Sequence, residues 1–360
     1  MLRRTAGARL RAHVRRLLRR NARGEQECGA GTAPRISVII PMHGTEAYLE
    51  RCLRSVQEQT FSDIEILCVD DASPDNCATI VTTLARRDAR LRLIRHPHNR
   101  GLGGARNSGI AAARGTYVTG IDSDDLVRPS MMERLWQASG EGVADVVVCG
   151  MDVVTPEGQS LHVVSQPAQN IHHNPRETDF INRFNPSFCN KLWRTSLFRD
   201  HDIRFPEHQY FEDLATTPRL LRFATDIRVI PDPLYCYVKR DDSITHSSSA
   251  RHILDHFRTF DTLVDFLEAE ALLEVHWPAL VEMIGKSLHY HTRTGLGANA
   301  DPGAPAMATE TRQYLRYMLL MKLAYLEYNE KLRSLEADAL QALLLKARSA
   351  SDLPTPPSEP

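Results

Sequence analysis

Four short apolar runs, each followed by a segment of helical periodicity, constrain this chain more than any other feature. Residues 36–41 (ISVIIP), 64–69 (IEILCV), 91–94 and 116–121 are rich in β-branched residues and read as buried strands. After the first, Tyr48, Leu49, Cys52, Leu53 and Val56 recur at helical spacing. After the third, a Gly-rich loop at 99–104 opens a helix expected over 105–113. Strands alternating with helices predict an α/β domain with a mostly parallel sheet and helices on both faces. Residues 143–154 are expected to form a further strand broken at Gly150, and 156–183 a loop excursion. Residues 190–200 and 210–223 read as helices, and 227–238 as extended chain. From 250 to 347 the pattern is helical throughout, including 315–327 and 332–347.

In open α/β sheets, ligands bind outside the carboxyl ends of the strands. The acidic clusters of this chain fall at such ends: Asp70, Asp71 and Asp75 after the second strand, and Asp122, Asp124 and Asp125 after the fourth. If the fourth strand persists through the cluster, Asp122 and Asp124 point to one face. Adjacent carboxylates repel unless a cation or a tight turn relieves them. A hard Mn²⁺ or Mg²⁺ ion, shared with substrate phosphates, would do so and stabilise a diphosphate leaving group. A solvated Asp-rich turn is the alternative. One carboxylate of Asp70-Asp71 can accept hydrogen bonds from a base or ribose, while Ser73 or Asp75 can cap the next helix. Glycines at 101, 103 and 104 with Arg106 and Asn107 suit a phosphate; equally, Arg106 can pair with the acidic clusters. Lys191, Lys239 and Arg240 are further cations that could reach phosphates, and His172 and His173 lack companions for a metal role.

Composition narrows the class. At 42% hydrophobic and 25% charged residues, the chain is an ordinary globular protein, and a net charge of −1 gives no general attraction to nucleic acid. Seven scattered cysteines with no C-x-x-C pair argue against a zinc site and against a disulfide framework, and favour a reducing compartment. Cys52, Cys68 and Cys149 lie in apolar patterns and read as core residues. No apolar run reaches the length of a transmembrane helix. Residues 1–23 are dense in arginine, with Leu10, Val14, Leu17 and Leu18 on one helical face. That pattern fits a helix on an anionic membrane surface, or else a basic tail. The division expected is a basic arm and linker at 1–34, the α/β domain at 35–248, a helical region at 249–348 and a Pro-rich tail at 349–360.

The runs ISVIIPMHGTEAYLERCLRSVQEQTFSDIEILCVDDASPD and NRGLGGARNSGIAAARGTYVTGIDSDDLVRP, with FCNKLWR and YFEDL downstream, resemble the family 2 glycosyltransferases over roughly residues 35–245. The resemblance implies the GT-A fold, Rossmann-like, with the C-terminal helices as an addition. It implies inverting transfer of a sugar from a nucleoside-diphosphate sugar, a UDP-sugar by preference, to an acceptor hydroxyl in cell-surface polysaccharide or glycolipid synthesis. It further implies that Pro41 begins the nucleotide-binding edge and that Asp70 or Asp71 contacts base and ribose. Asp122 and Asp124, flanking Ser123, would be the D-x-D that holds the metal and diphosphate. Asp213 would be the base with Glu212 beside it, and Lys191 would lie near the donor. Two departures stand out. Met42-His43-Gly44 replaces the usual aromatic and asparagine. Gly120 stands where an aromatic is frequent, which suggests a looser strand end.

The corresponding partners are a nucleotide-sugar donor and a glycan or lipid-linked acceptor, with a cytoplasmic location at or near the inner membrane face. The C-terminal helices are expected to pack on the domain, bind the acceptor or form a homodimer. Two other classes compete. A nucleotidyltransferase would carry a Gly-rich basic loop after the first strand, where only Gly44 precedes Arg51. A non-catalytic scaffold would have lost acids that are all present here.

Overall fold

The computed structural model describes residues 33–172, 174, 180–240 and 250–294. The arginine-dense arm, Cys28, His173, the segments 315–327 and 332–347 and the C-terminal tail lie outside these residues. The described residues from Arg35 onward form one compact unit.

The first half builds β1 (Ile36–Met42), α1 (Glu46–Gln57), β2 (Ile64–Asp70), α2 (Cys77–Ala85), β3 (Leu91–Arg95), α3 (Gly101–Ala112) and β4 (Tyr117–Gly120). Every residue of β1 and β2 is buried, as expected of strands covered on both faces. They pair in parallel from Ile36 opposite Ile64 to Met42 opposite Asp70, and β4 joins β1 on its other side. Alternate residues of β1 enter two hydrophobic clusters: Ile36, Val38, Ile40 and Met42 on one face, Ile39 on the other. Leu49, Cys52, Leu53 and Val56 are the buried stripe of α1, as their spacing predicts.

The second half adds β5 (Leu126–Val127), α4 (Met131–Ala138), β6 (Val146–Val154), β7 (Ser160–Val164), β8 (Gln169–His172), β9 (Lys191–Arg194), α5 (Ser196–Asp200), α6 (Glu212–Leu221), β10 (Asp226–Val238), α7 (Ala250–Ala269) and α8 (Leu273–Thr294). The sheet order is β3-β2-β1-β4-β9-β6-β10-β5, with β7 on β6 and β8 on β10. The sheet is therefore parallel through its first four strands, and mixed beyond.

Four sequence expectations are corrected here. Residues 190–200 are not one helix: β9 is inserted antiparallel between β4 and β6, and only α5 is helical. With Lys191, Leu192 and Trp193 all buried, β9 shows no alternation for a sequence reading to detect. The excursion at 156–183 contains β7 and β8. Gly150 does not break β6; the irregularity lies opposite it on β10, between Val229 and Tyr235. Helix α3 starts at Gly101, not near Ala105. A Cβ on Gly103 would stand 2.1 Å from the Pro206 carbonyl oxygen, and one on Gly101, at φ +75°, would stand 3.0 Å from the His208 amide nitrogen. These glycines admit the chain's own 205–208 segment against the helix.

The six described cysteines are free and buried, Cys52, Cys68 and Cys149 among them. No described helix is long and apolar enough to cross a membrane. Helices α7 and α8 place Phe260, Leu263, Leu267, Leu280 and Ile284 in the same cluster as Phe188, Trp193 and Leu220. Packing on the α/β domain is thus the role their described residues show.

Candidate active site

The carboxyl ends of β1, β2 and β4 converge on one edge, which gathers the acids singled out in the sequence. Pro41 is buried in β1 opposite Val69. Asp70 and Asp71 are both buried but held differently. Asp70 accepts the Ser73 amide at 2.9 Å and pairs with Arg95 Nε at 3.3 Å. Asp71 accepts the Arg100 amide at 2.8 Å and lies 2.6 Å from His96 Nδ1, whose Nε2 is 2.8 Å from Ser108 Oγ. The N-cap positions are Thr45 and Asn76, and Asp75 accepts the first amide of both helices, that of Cys77 at 3.1 Å and that of Glu46 at 2.9 Å. Burial works against ionisation of Asp75, but hydrogen bonds from Ser73, Cys77 and the Glu46 amide outweigh it and hold the carboxyl at about 2.

Strand β4 stops at Gly120, so strand pleating does not align Asp122 and Asp124. A turn replaces it, closed by the Asp125 amide on the Asp122 carbonyl at 3.0 Å. The turn sends its three acids to different partners. Asp125 points inward, accepting the Tyr235 hydroxyl at 2.6 Å and the Val238 amide at 2.8 Å. Burial and then Asp124 and Asp122 push its carboxyl well up. Asp124 pairs with Arg240, whose guanidinium also lies 4.2 Å over the Tyr48 ring. Asp122 pairs with Arg106 at 3.0 Å. Ser123 is buried, its Oγ 3.0 Å from Thr45 Oγ1. The side chains of Asp122 and Asp124 remain 33% and 26% exposed, so both carboxylates face solvent in part. Burial, then the Asp122 charge, raises the Asp124 carboxyl above its usual range. A cation relieves that condition.

Arg106 is the hub. Its side chain is 2% exposed and meets Asp122, Glu212 and Asp213 together. The Glu212 contact is 2.6 Å. Its guanidinium sits 5.6 Å from the Phe188 ring centroid and 5.5 Å from that of Phe205. Nε has no hydrogen-bond partner among the described residues. Of the two alternatives the sequence left open for Arg106, the ion pair with the acidic clusters is therefore present.

Glu212 and Asp213 start α6, behind Phe211 in the left-handed region at φ +60°. Burial, then the Asp213 charge, raises Glu212 to about 7 against the pull of Arg106. Burial also raises Asp213, opposed first by Arg106. Asp213 is the more accessible of the two, at 21% against 9%. Its Oδ2 accepts the Phe188 amide at 3.1 Å. Lys191 is wholly buried in β9, and burial lowers its ammonium to about 8. His172 sits away from these acids, in β8 opposite Asp226. Among the described residues, no three His, Cys, Asp or Glu side chains form a ready metal cluster.

Neither Phe188 nor Tyr235 carries a signal of function in the sequence, because a lone aromatic side chain reads as core. Phe188 also corrects the expectation at Gly120. The strand end there is not loose: a Cβ on Gly120 would stand 2.3 Å from Phe188 Cδ1. The aromatic missing from position 120 is supplied from position 188. Gly120→Ala should lower unfolding free energy by about 1–3 kcal/mol through overpacking. It should also reduce turnover, since Phe188 carries an amide bonded to Asp213. Urea melts and turnover read both; a variant with unchanged stability and rate would refute the packing argument.

The family model described as Glycosyl transferase family 2 matches residues 37–202. The chain is 36% identical over 224 residues to the uncharacterized glycosyltransferase EpsJ of Bacillus subtilis (strain 168), an alignment covering 59% of this chain and 63% of that protein. It is 32% identical over 282 residues to glycosyltransferase GlyG of Streptococcus pneumoniae serotype 4, covering 72% of this chain and 90% of that one. Among solved structures, S. aureus TarS 1–349 in complex with UDP-GlcNAc superposes with a TM-score of 0.65 at 23% identity, covering 88% of this chain and 87% of that one. At that identity, the last likeness speaks for the fold.

Proposed function

The chain belongs to the family 2 glycosyltransferases, and from that premise we propose that it transfers a sugar, with inversion, from a nucleoside-diphosphate sugar to an acceptor hydroxyl at the acid cluster of Asp122 and Asp213. One observation carries the reading. Arg106 joins an acid of the D-x-D turn to the Glu212-Asp213 pair, so that phosphate-side and acceptor-side carboxylates share one buried cation.

In this reading, the edge formed by Pro41, Asp70 and Asp71 receives the nucleoside. Asp71 is already committed to His96 and the Arg100 amide. Asp122, Ser123 and Asp124 line the diphosphate side. Asp122 and Asp124 offer hard, partly exposed oxygens of the kind Mn²⁺ or Mg²⁺ prefers, and two protein ligands suit an ion that completes its shell from phosphate and water. Such an ion supplies charge neutralisation of the departing diphosphate. Asp213 removes the proton from the acceptor hydroxyl, which then attacks the anomeric carbon opposite the leaving group. Burial supports this role, because a carboxyl raised above its usual range is a better proton acceptor.

The acceptor is proposed to be a glycan or a lipid-linked glycan in cell-surface polysaccharide or glycolipid synthesis. The arginine-dense residues 1–23 support work at an anionic membrane surface on its inner, cytoplasmic side. The test is transfer and donor hydrolysis with UDP-, GDP- and dTDP-sugars. UDP-sugars come first, since TarS is described with UDP-GlcNAc. Turnover should fall to background in excess EDTA and return on adding Mn²⁺ or Mg²⁺. Full activity in chelator would remove the metal from the reading.

A further inference from the structure

Lys191 has no part in the chemistry just described, yet it is a fully buried cation beside the acid pair. An ammonium has three N–H donors. All three are used within the protein: Nζ donates to the Asn185 carbonyl at 2.8 Å, the Ser187 carbonyl at 2.6 Å and Asn190 Oδ1 at 2.7 Å. None is left for a donor phosphate. The segment these bonds gather, residues 185–190, is the one that reaches helix α6. It does so twice: Thr217 Oγ1 donates to the Pro186 carbonyl at 2.6 Å, and the Phe188 amide donates to Asp213 Oδ2 at 3.1 Å. Lys191 grips the carbonyls on both sides of Pro186 and adjoins the peptide that carries the Phe188 N–H. Its own backbone is fixed in β9, between β4 and β6.

We propose that Lys191 is a positioning residue for Asp213. By clamping the 185–190 turn, it aims the Phe188 amide at Asp213 Oδ2 and so fixes the orientation of that carboxylate. The proposal rests on the reading of Asp213 as the base. Oδ1 is held by Arg106 and Oδ2 by the Phe188 amide, so the plane of the carboxylate is set by two bonds. Lys191 governs the second of them. A misplacement of about 1 Å at a reacting group reduces turnover by about a hundredfold, which makes a buried clamp of this kind consequential.

The test separates positioning from donor binding. Lys191→Met keeps the length of the side chain and removes its donors. It should lower kcat by about tenfold to a hundredfold, while the affinity for UDP with Mn²⁺, read by calorimetry, stays within about twofold of the parent. A loss of UDP affinity that matches the loss in kcat would make Lys191 a donor ligand and overturn the proposal. If Lys191→Met does not fold by circular dichroism, Asn190→Ala decides, since it keeps the ammonium and both carbonyl contacts while loosening the clamp. A several-fold drop in kcat at unchanged UDP affinity supports the clamp, and wild-type kcat refutes it. Asp213→Asn, run alongside, tells the two failures apart. If it is inactive while the clamp variants are normal, only the clamp is wrong. If it turns over normally, Asp213 is not the base and the clamp has nothing to position.

Discussion

Asp213→Asn should lower kcat by about 10²- to 10⁴-fold, the range general-base removal produces, and leave nucleoside-diphosphate affinity nearly unchanged. The substitution is close to isosteric. An asparagine carbonyl can still accept one of the two donors Asp213 now holds, the Phe188 amide or Arg106, and Arg106 keeps Asp122 and Glu212 as partners. What disappears is the negative charge and the ability to take a proton. Glu212→Gln is the discriminating control. Glu212 lies deeper, 9% exposed against 21%, and its carboxyl is raised to about 7, so near neutrality it is part protonated and poorly placed to meet an acceptor. Its replacement should therefore reduce kcat much less than that of Asp213. Calorimetry with UDP and Mn²⁺, together with steady-state transfer, reads both variants. Equal losses for the two would assign the proton to the pair as a unit; near wild-type turnover by Asp213→Asn would remove it as the base.

The first four strands, the parallel pairing they imply and the acids at their ends were legible because each signal is local. A β-branched run is visible in six residues, and the buried stripe of α1 repeats at helical spacing. The elements that were misread depend on distant partners. Strand β9, set between β4 and β6, is buried at Lys191, Leu192 and Trp193 in succession, and so carries no alternation. Helix α3 reaches back through its glycines because residues 205–208 press against it, a contact about a hundred positions away. The site divides in the same way. Asp122 and Asp124 announce themselves by spacing, whereas Arg106, Phe188 and Asp213 become one device only when three separate segments meet. The turn after Gly120 shows the limit of pattern reasoning: adjacent acids in sequence, Asp124 and Asp125, are sent to opposite duties, one to Arg240 and the other to Tyr235.

Removing the hub should be the most destabilising single change. Arg106→Met keeps the aliphatic body that packs between Phe188 and Phe205 but leaves Asp122, Glu212 and Asp213 without their shared cation. Breaking a buried ion pair from one side lowers stability by about 3–5 kcal/mol. The deficit should depend on pH, and its sign follows from Glu212. The folded-state value of about 7 exceeds the ordinary 4.5, so between those values the native protein binds more protons than the unfolded chain. Stability from this group is present below about 4.5 and is lost as pH rises through about 7. Arg106 is the group that pulls Glu212 down against burial; without it the carboxyl rises further, and the variant loses still more on the alkaline side. Glu212 and Asp213, whose carboxyls burial raises, bind protons more readily at pH 5 than at pH 8, so the missing cation matters less there. Urea unfolding of parent and variant at pH 5 and pH 8 should therefore show a gap that is small at the first and near its full size at the second. An equal gap at both would mean that Arg106 acts through packing against its two aromatic neighbours, and the electrostatic account of the hub would fail.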